Sequence, residues 1–241
     1  FFQSWLHGYL KTFVNGINVL GRVSILQLDT NFLRIPGDIG CEKTFIEEPQ
    51  YLIVEGVTAN KIVTSQPENI DISPFLEAAK SATGDILTTS CGFLAPFQKE
   101  LQENLNIPVV VSSIGQLNAI NKIYSPEQVI ILTIDADKLC KKHLPKKFWK
   151  YSECIYGFRN SSYLHKVIFD DMTMFDKGKV AEELLVAFKE ACTESTKALL
   201  LECTNMPPYK PHLKKHRAVK IFDILSAIEG ELPNSINPVY L

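Results

Sequence analysis

The sequence has no excess of charge of either sign. Lysine and arginine number 25, aspartate and glutamate 27, and the formal net charge is −2 over 241 residues. A nucleic-acid surface shows itself as a basic excess, so no nucleic-acid partner is expected. No apolar run approaches the roughly 20 residues of a membrane-spanning helix, and no membrane role is expected either. None of the cysteines forms a C-x-x-C pair, and no histidine stands at zinc-finger spacing from them, so the common zinc frameworks are absent. The 12 glycines and 13 prolines are ordinary numbers, which excludes collagen-like and low-complexity chains. Arginine is scarce, occurring only as Arg22, Arg34, Arg159 and Arg217. Residues Phe1–Arg22 lack the basic start, apolar core and small-residue cleavage site of a signal peptide. They read as an amphipathic helix with Phe2, Trp5, Leu6, Leu10 and Phe13 on one side, a candidate homodimer contact.

What is present is the make-up of a folded α/β protein, with 46% hydrophobic and 22% charged residues. Short runs rich in Val, Ile and Leu read as strands buried on both faces. They are Val23–Leu28, Tyr51–Val54, Asp85–Thr89, Pro108–Val111, Val129–Ile134, Lys197–Leu201 and Val219–Phe222. Helical spacing lies between them. Ser73 reads as the cap of a helix opening at Pro74. Phe93, Leu94, Phe97, Leu101 and Leu105 recur at helical intervals, as do Val180, Leu184, Leu185, Phe188 and Ala191. Strands alternating with helices predict parallel sheets. The six cysteines, Cys41, Cys91, Cys140, Cys154, Cys192 and Cys203, read as free thiols in a reducing compartment, the cytoplasm.

The chain repeats itself. Ile25-Leu26-Gln27-Leu28-Asp29 is matched by Ile131-Leu132-Thr133-Ile134-Asp135, 106 residues on. The strand ending in Cys91 is matched 112 residues later by the strand ending in Cys203. Two matches in the same order predict two similar lobes, each a parallel sheet flanked by helices, related by a pseudo-two-fold axis. The first lobe is expected over residues 23–114, a connector over 115–127 and the second lobe over 128–217. Residues 218–241 are expected to return to the first lobe.

Ligands of open parallel sheets bind beyond the carboxyl ends of the strands. Facing lobes therefore bring Asp29-Thr30-Asn31, Ser90-Cys91-Gly92, Asp135-Ala136-Asp137 and Cys203-Thr204-Asn205 toward one cleft. Cys91 and Cys203 would then approach a small molecule from opposite sides, one thiolate removing a carbon-bound proton and the other thiol delivering one. Each cysteine precedes the expected start of a helix, where free N–H groups favour the thiolate. Thr89, Ser90, Thr204 and Asn205 add donors for a substrate carboxylate, and Gly92 permits close backbone approach. The other four cysteines have no such partner. Lys141-Lys142-His143 and Lys146-Lys147, with Phe148 and Trp149 beside them, read as a solvated basic run.

The turns Thr88-Thr89-Ser90-Cys91-Gly92 and Glu202-Cys203-Thr204-Asn205-Met206-Pro207-Pro208-Tyr209, with Asp29-Thr30-Asn31 and Pro36-Gly37-Asp38-Ile39-Gly40, resemble the aspartate/glutamate racemase superfamily. That superfamily includes hydantoin racemases and related decarboxylases and isomerases. The resemblance covers nearly everything after Arg22. It implies two α/β lobes with the active site between them, and proton transfer by Cys91 and Cys203 without pyridoxal phosphate, metal or other cofactor. It implies that Thr89, Ser90 and Thr204 hold the substrate carboxylate, with Asp29 and Asn31 beside the amino group or first thiol. In the long loop from Phe32 to Phe45, Arg34 and Asp38 would read the far end of the substrate. Met206 and Pro207 stand where glutamate racemases carry a histidine, which points away from glutamate itself. The expected function is thus an isomerase, a racemase or epimerase of an amino acid or hydantoin. Alternatives are a single-cysteine decarboxylase or isomerase of a small dicarboxylate, and a non-catalytic binding protein with the same cleft. In each case the partner is a small carboxylate or amino-acid-like molecule.

Overall fold

The computed structural model describes residues 21–158 and 161–241. The expected amphipathic helix and dimer contact over Phe1–Arg22 therefore lie outside the described residues, save for Gly21 and Arg22.

Two four-stranded sheets organise the chain. The first contains β1 (Val23–Leu28), β2 (Gln50–Val54), β3 (Ile86–Thr89) and β4 (Val109–Val110), in the order β2-β1-β3-β4. The second contains β5 (Val129–Thr133), β6 (Ile155–Gly157), β7 (Ala198–Leu201) and β8 (Lys220–Phe222), in the order β6-β5-β7-β8. Every pairing is parallel. In each sheet the first strand lies between the second and third, so the repeat seen in the sequence is a repeat of topology. It extends to single hydrogen bonds. The residue before each cysteine donates its N–H to the matching carbonyl of the central strand, Ser90 to Leu26 at 3.0 Å and Glu202 to Leu132 at 2.9 Å.

The strand sequences explain this arrangement. Val-Ile-Ile-Leu-Thr in β5 and Ala-Leu-Leu-Leu in β7 are buried at every position, as central parallel strands covered on both faces must be. In β1 the two faces separate by the strand period of two. Val23 and Ile25 join one apolar cluster, with Ile39, Phe45 and Ile228, while Leu26 and Leu28 face the main core.

Four local expectations are corrected. Residues 218–241 do not return to the first lobe as a unit: β8 hydrogen-bonds to β7 in the second sheet, and only the helix Ile224–Glu231 and the residues after it cover the first. The strand β6 was not foreseen, because it is a three-residue, half-exposed edge with no apolar run. Ser73 is not a side-chain cap; its N–H donates to the Asp71 carboxylate and the helix runs Ser73–Ala79. The segment after Cys91 opens as a 3-10 helix, Gly92–Phe97, because Pro96 interrupts the α pattern; an α-helix follows over Gln98–Glu103.

One buried ion pair ties the second lobe to the segment that covers the first. Lys210 Nζ lies 2.6 Å from Asp223 Oδ2 and donates to the Tyr240 carbonyl. Asp223 also caps the helix Ile224–Glu231 through the Ser226 N–H. Removing one partner leaves a buried charge uncompensated, so Lys210→Met is expected to cost about 3–5 kcal/mol in denaturant unfolding. A loss below about 1 kcal/mol would show that the pair is not what fastens the C-terminal segment.

Candidate active site

The carboxyl ends of β1, β3, β5 and β7 meet at the seam between the lobes. Thr204 Oγ1 of the second lobe donates to the Ser90 carbonyl of the first at 2.7 Å, and Ser113 Oγ donates back to the Leu201 carbonyl at 2.8 Å. A cavity of about 30 Å³ lies beside these bonds. Its lining includes Cys91, Gly92, Glu202, Cys203, Thr204 and Arg34, with Phe32, Phe93, Ile134 and Ile168 as apolar walls. The volume suits one or two waters.

Both cysteines are therefore brought to one cavity, and both are buried. Burial pushes the Cys91 thiol up to about 12. The Glu202 charge adds to the rise, while the Phe93 N–H and the Arg34 guanidinium oppose it. Burial first, and the Glu202 charge second, hold Cys203 well above the ordinary thiol range, against the Asn205 N–H. Turn N–H groups thus act in the expected direction, but loss of solvent outweighs them. Both groups rest as thiols rather than thiolates. The Cys203 S–H is directed at Asn205 Oδ1, 3.6 Å away.

Arg34 extends along the Phe32 ring, its guanidinium carbon 3.8 Å from the ring centre. It donates to Asp38 Oδ1 at 3.2 Å and to Thr30 Oγ1 at 3.1 Å, while its buried Nε has no partner. Asp38 is itself buried and accepts also from the Gly40 N–H and from Asn205 Nδ2, at 2.7 Å each. Asp38 thus positions Arg34 and ties the long loop to the second lobe. A side chain at Gly40 would start 2.9 Å from Arg34 Cδ and Nε, so glycine leaves room for that course.

The remaining predicted residues are placed less directly. Thr89 lies under the Cys91 turn, its hydroxyl at 2.8 Å from the Val111 carbonyl and 3.3 Å from the Cys91 N–H. Ser90 lines the cavity and its Oγ accepts from the Leu28 N–H. Asp29 and Asn31 are not among the cavity's lining. Asp29 accepts from the Gly56 N–H, and Asn31 donates from both backbone and side chain to Asp171 of the second lobe. Asp171 also receives the Phe32 N–H at 2.7 Å and takes a left-handed backbone, φ 53°. Asp135 is fully buried beside His165 and Lys138, behind Ile134. His143, read with the solvated basic run, is instead buried edge-on against Phe93. Among the described residues no group of three or more His, Cys, Asp or Glu side chains is placed to hold a metal ion.

Glu202 was quoted in a motif but not foreseen as a site residue. It is 1% exposed, at the end of the otherwise apolar run Ala198–Leu201. Its Oε2 accepts from Thr133 Oγ1 at 2.7 Å; its Oε1 is buried with no partner. A Cβ on residue 92 would lie 2.2 Å from that Oε1, so Gly92 is required by the carboxyl group pressed against it. The sequence signal was a lone ionisable residue ending a buried strand, a combination that is rare without a role.

Several known proteins share this architecture. Allantoin racemase from Pseudomonas fluorescens aligns over 91% of this chain and 95% of its own, with a TM-score of 0.55 and 12% identity. Glutamate racemase from Bacillus anthracis aligns over 85% and 77%, TM-score 0.53, 15% identity. Arylmalonate decarboxylase aligns over 88% and 91%, TM-score 0.53, 11% identity. The chain has the fold of the aspartate/glutamate racemase superfamily. No family model matches it. In sequence it is similar to other proteins. A dimethylsulfoniopropionate lyase from Durusdinium sp. clade D is 24% identical over 221 residues, 84% of this chain and 71% of the relative. Dimethylsulfoniopropionate lyase 5 from Emiliania huxleyi is 24% identical over 228 residues, 86% of this chain but 44% of the relative. These relatives overturn the expectation of an isomerase that racemises amino acids or hydantoins: the sequence follows lyases, and the likeness to racemases is one of fold.

The Glu202 carboxyl gives a test of the buried electrostatics. Burial lifts it to about 7, against the pull of the Thr133 hydroxyl. An unfolded glutamate titrates near 4.3, so between these values the folded protein holds the extra proton. Its contribution favours folding below about 4.3 and is lost as pH rises through 7. Glu202→Gln, which keeps the Thr133 bond, should gain stability over the parent across that window, by on the order of 3 kcal/mol at pH 8. Denaturant unfolding at pH 5 and pH 8 measures it. A gap that does not change with pH would mean that Glu202 is not desolvated.

Proposed function

We propose that this chain is a lyase that expels a neutral sulfide from a small carboxylate bearing a β-sulfonium group, dimethylsulfoniopropionate being the substrate the relatives' names suggest. The observation that carries the reading is the meeting of Cys91, Cys203 and Arg34 on one cavity, in a chain whose curated relatives are lyases; at about 30 Å³ that cavity must widen at the seam to admit the substrate. Because the chain spans only part of those relatives, substrate and activity are both part of the proposal.

The chemistry needs one base, not two. As the cationic substrate enters, the Cys91 thiol gives up its proton to solvent water, and the thiolate so formed removes a proton from C2. The C2–H electron pair becomes the C2–C3 double bond, the C3–S bond breaks with its pair going to sulfur, and dimethyl sulfide leaves with acrylate remaining. The leaving group is neutral and needs no acid. The difficulty lies in charge gathering on the carboxylate as the proton departs, and Arg34 suits that charge. Cys91 is the base in this scheme because the Arg34 charge favours its thiolate, whereas the charges acting on Cys203, those of Glu202, Cys91 and Asp38, all oppose ionisation. An incoming cation lowers the Cys91 thiol further, since a nearby opposite charge favours the ionised form. Cys203 stays protonated and donates to the developing carboxylate charge. The free state of all six cysteines fits a reducing compartment, and we place the protein in the cytoplasm on that ground.

The two thiols should therefore matter unequally. Cys91→Ala removes the base and is expected to lower kcat/KM by about 10²–10⁴. Cys203→Ala removes a donor, at about 10²–10³, and Cys203→Ser restores part of that loss. Headspace assay of dimethyl sulfide reads all three variants. Full activity in Cys91→Ala would remove this assignment.

A further inference from the structure

The lyase reading leaves one buried group unused. Glu202 lines the same cavity as the thiols, and one of its carboxyl oxygens has no partner within the protein. A buried carboxylate oxygen without a partner is costly unless a ligand supplies one. Arg34 lines that cavity as well, with a buried Nε also unpaired. A cavity lined by a carboxyl group with an unpaired oxygen and by a guanidinium group fits a ligand with both charges, each end facing its opposite.

We propose that Glu202 binds the cationic end of the substrate, setting it against Arg34 at the carboxylate end, and that the cation it selects is a sulfonium. This inference rests on the lyase reading and names the group that recognises its substrate.

The walls decide the type of cation. An ammonium carries N–H donors that need several acceptors, whereas a dialkyl sulfonium carries methyl groups and donates nothing. Thr30, Ser90, Thr204 and Asn205 also line the cavity, but each of these oxygens is already engaged, with Arg34, the Leu28 N–H, the Ser90 carbonyl and Cys203 respectively, and the remaining walls, Phe32, Ala59, Val63, Phe93, Ile134 and Ile168, offer no side-chain acceptor. Aromatic faces and apolar walls receive methyl groups on a cation well. One unpaired carboxylate oxygen supplies the countercharge, and Gly92 leaves it the space. Cys91 lines the cavity together with Glu202 and Arg34, so its thiol shares the space in which the carbon between the two substrate ends would lie. The attraction ends when the sulfide leaves neutral, which favours its release.

The test compares dimethylsulfoniopropionate with 4-methylpentanoate, its uncharged isostere, in which CH replaces S⁺. Calorimetry on the Cys91→Ala protein measures binding without turnover. The sulfonium is expected to bind at least tenfold more tightly than the isostere. Adding Glu202→Gln should abolish that preference by weakening the sulfonium alone, and Glu202→Asp, which keeps the charge, should retain part of it. Equal binding of both ligands by the Cys91→Ala protein overturns the inference while leaving the lyase reading intact. So does an undiminished preference with Glu202→Gln. If that variant binds neither ligand, Glu202→Asp decides: loss of the preference there overturns the inference. Failure of the Cys91→Ala protein to bind either ligand overturns the lyase reading and the inference with it.

Discussion

The site depends on the closure of one lobe's strand ends over the other's. The Thr204 hydroxyl on the Ser90 carbonyl and the Ser113 hydroxyl on the Leu201 carbonyl cross the seam in opposite directions. Asn205 reaches Asp38 across the same boundary, and Asp171 grips the backbone of Asn31 and Phe32. Because these bonds lie beside the cysteine turns, the contact that joins the lobes also takes the cysteines out of water.

Exclusion of water then sets the chemistry. Each lobe alone would leave its cysteine at an open strand end, where turn N–H groups favour a thiolate. Facing each other, the lobes bury Cys91, Cys203 and Glu202 together, and burial is the largest influence on all three. The result is a pair of resting thiols beside a carboxyl group that titrates near neutrality. Such thiols make weak nucleophiles until a positive charge arrives, which suits a reaction whose proposed substrate is cationic and whose proposed product, acrylate, reacts readily with thiolates.

The fold was legible because buried parallel strands leave a plain mark, a run of Val, Ile and Leu on consecutive positions. Repetition of that mark at Ile25 and Ile131 announced the two lobes. The mark fails where strands are short or exposed, so β6 at Ile155–Gly157 left none. The cysteines were legible as a pair because each ends a strand at a matching place in the repeat. Glu202 was not, because its burial depends on Thr133 and Gly92, contacts distant in sequence that no local pattern carries. The thiol shifts were misjudged for the same reason: helix starts are visible in sequence, whereas solvent exclusion belongs to the assembled seam. The proposed reaction class was furthest from reach. The racemase motifs report a fold that also serves arylmalonate decarboxylase, and elimination differs from racemisation chiefly in the leaving group on the next carbon.

The most direct measurement follows the fate of the C2 hydrogens. Dimethylsulfoniopropionate carrying two deuterium atoms at C2 would be incubated with the protein in ordinary water and the products read by NMR. Removal of a C2 proton coupled to loss of the sulfide predicts acrylate with a single deuterium at C2, formed in step with dimethyl sulfide. Displacement of the sulfide by water would instead give 3-hydroxypropionate retaining both deuterium atoms, and that product, or unchanged substrate, would contradict the account.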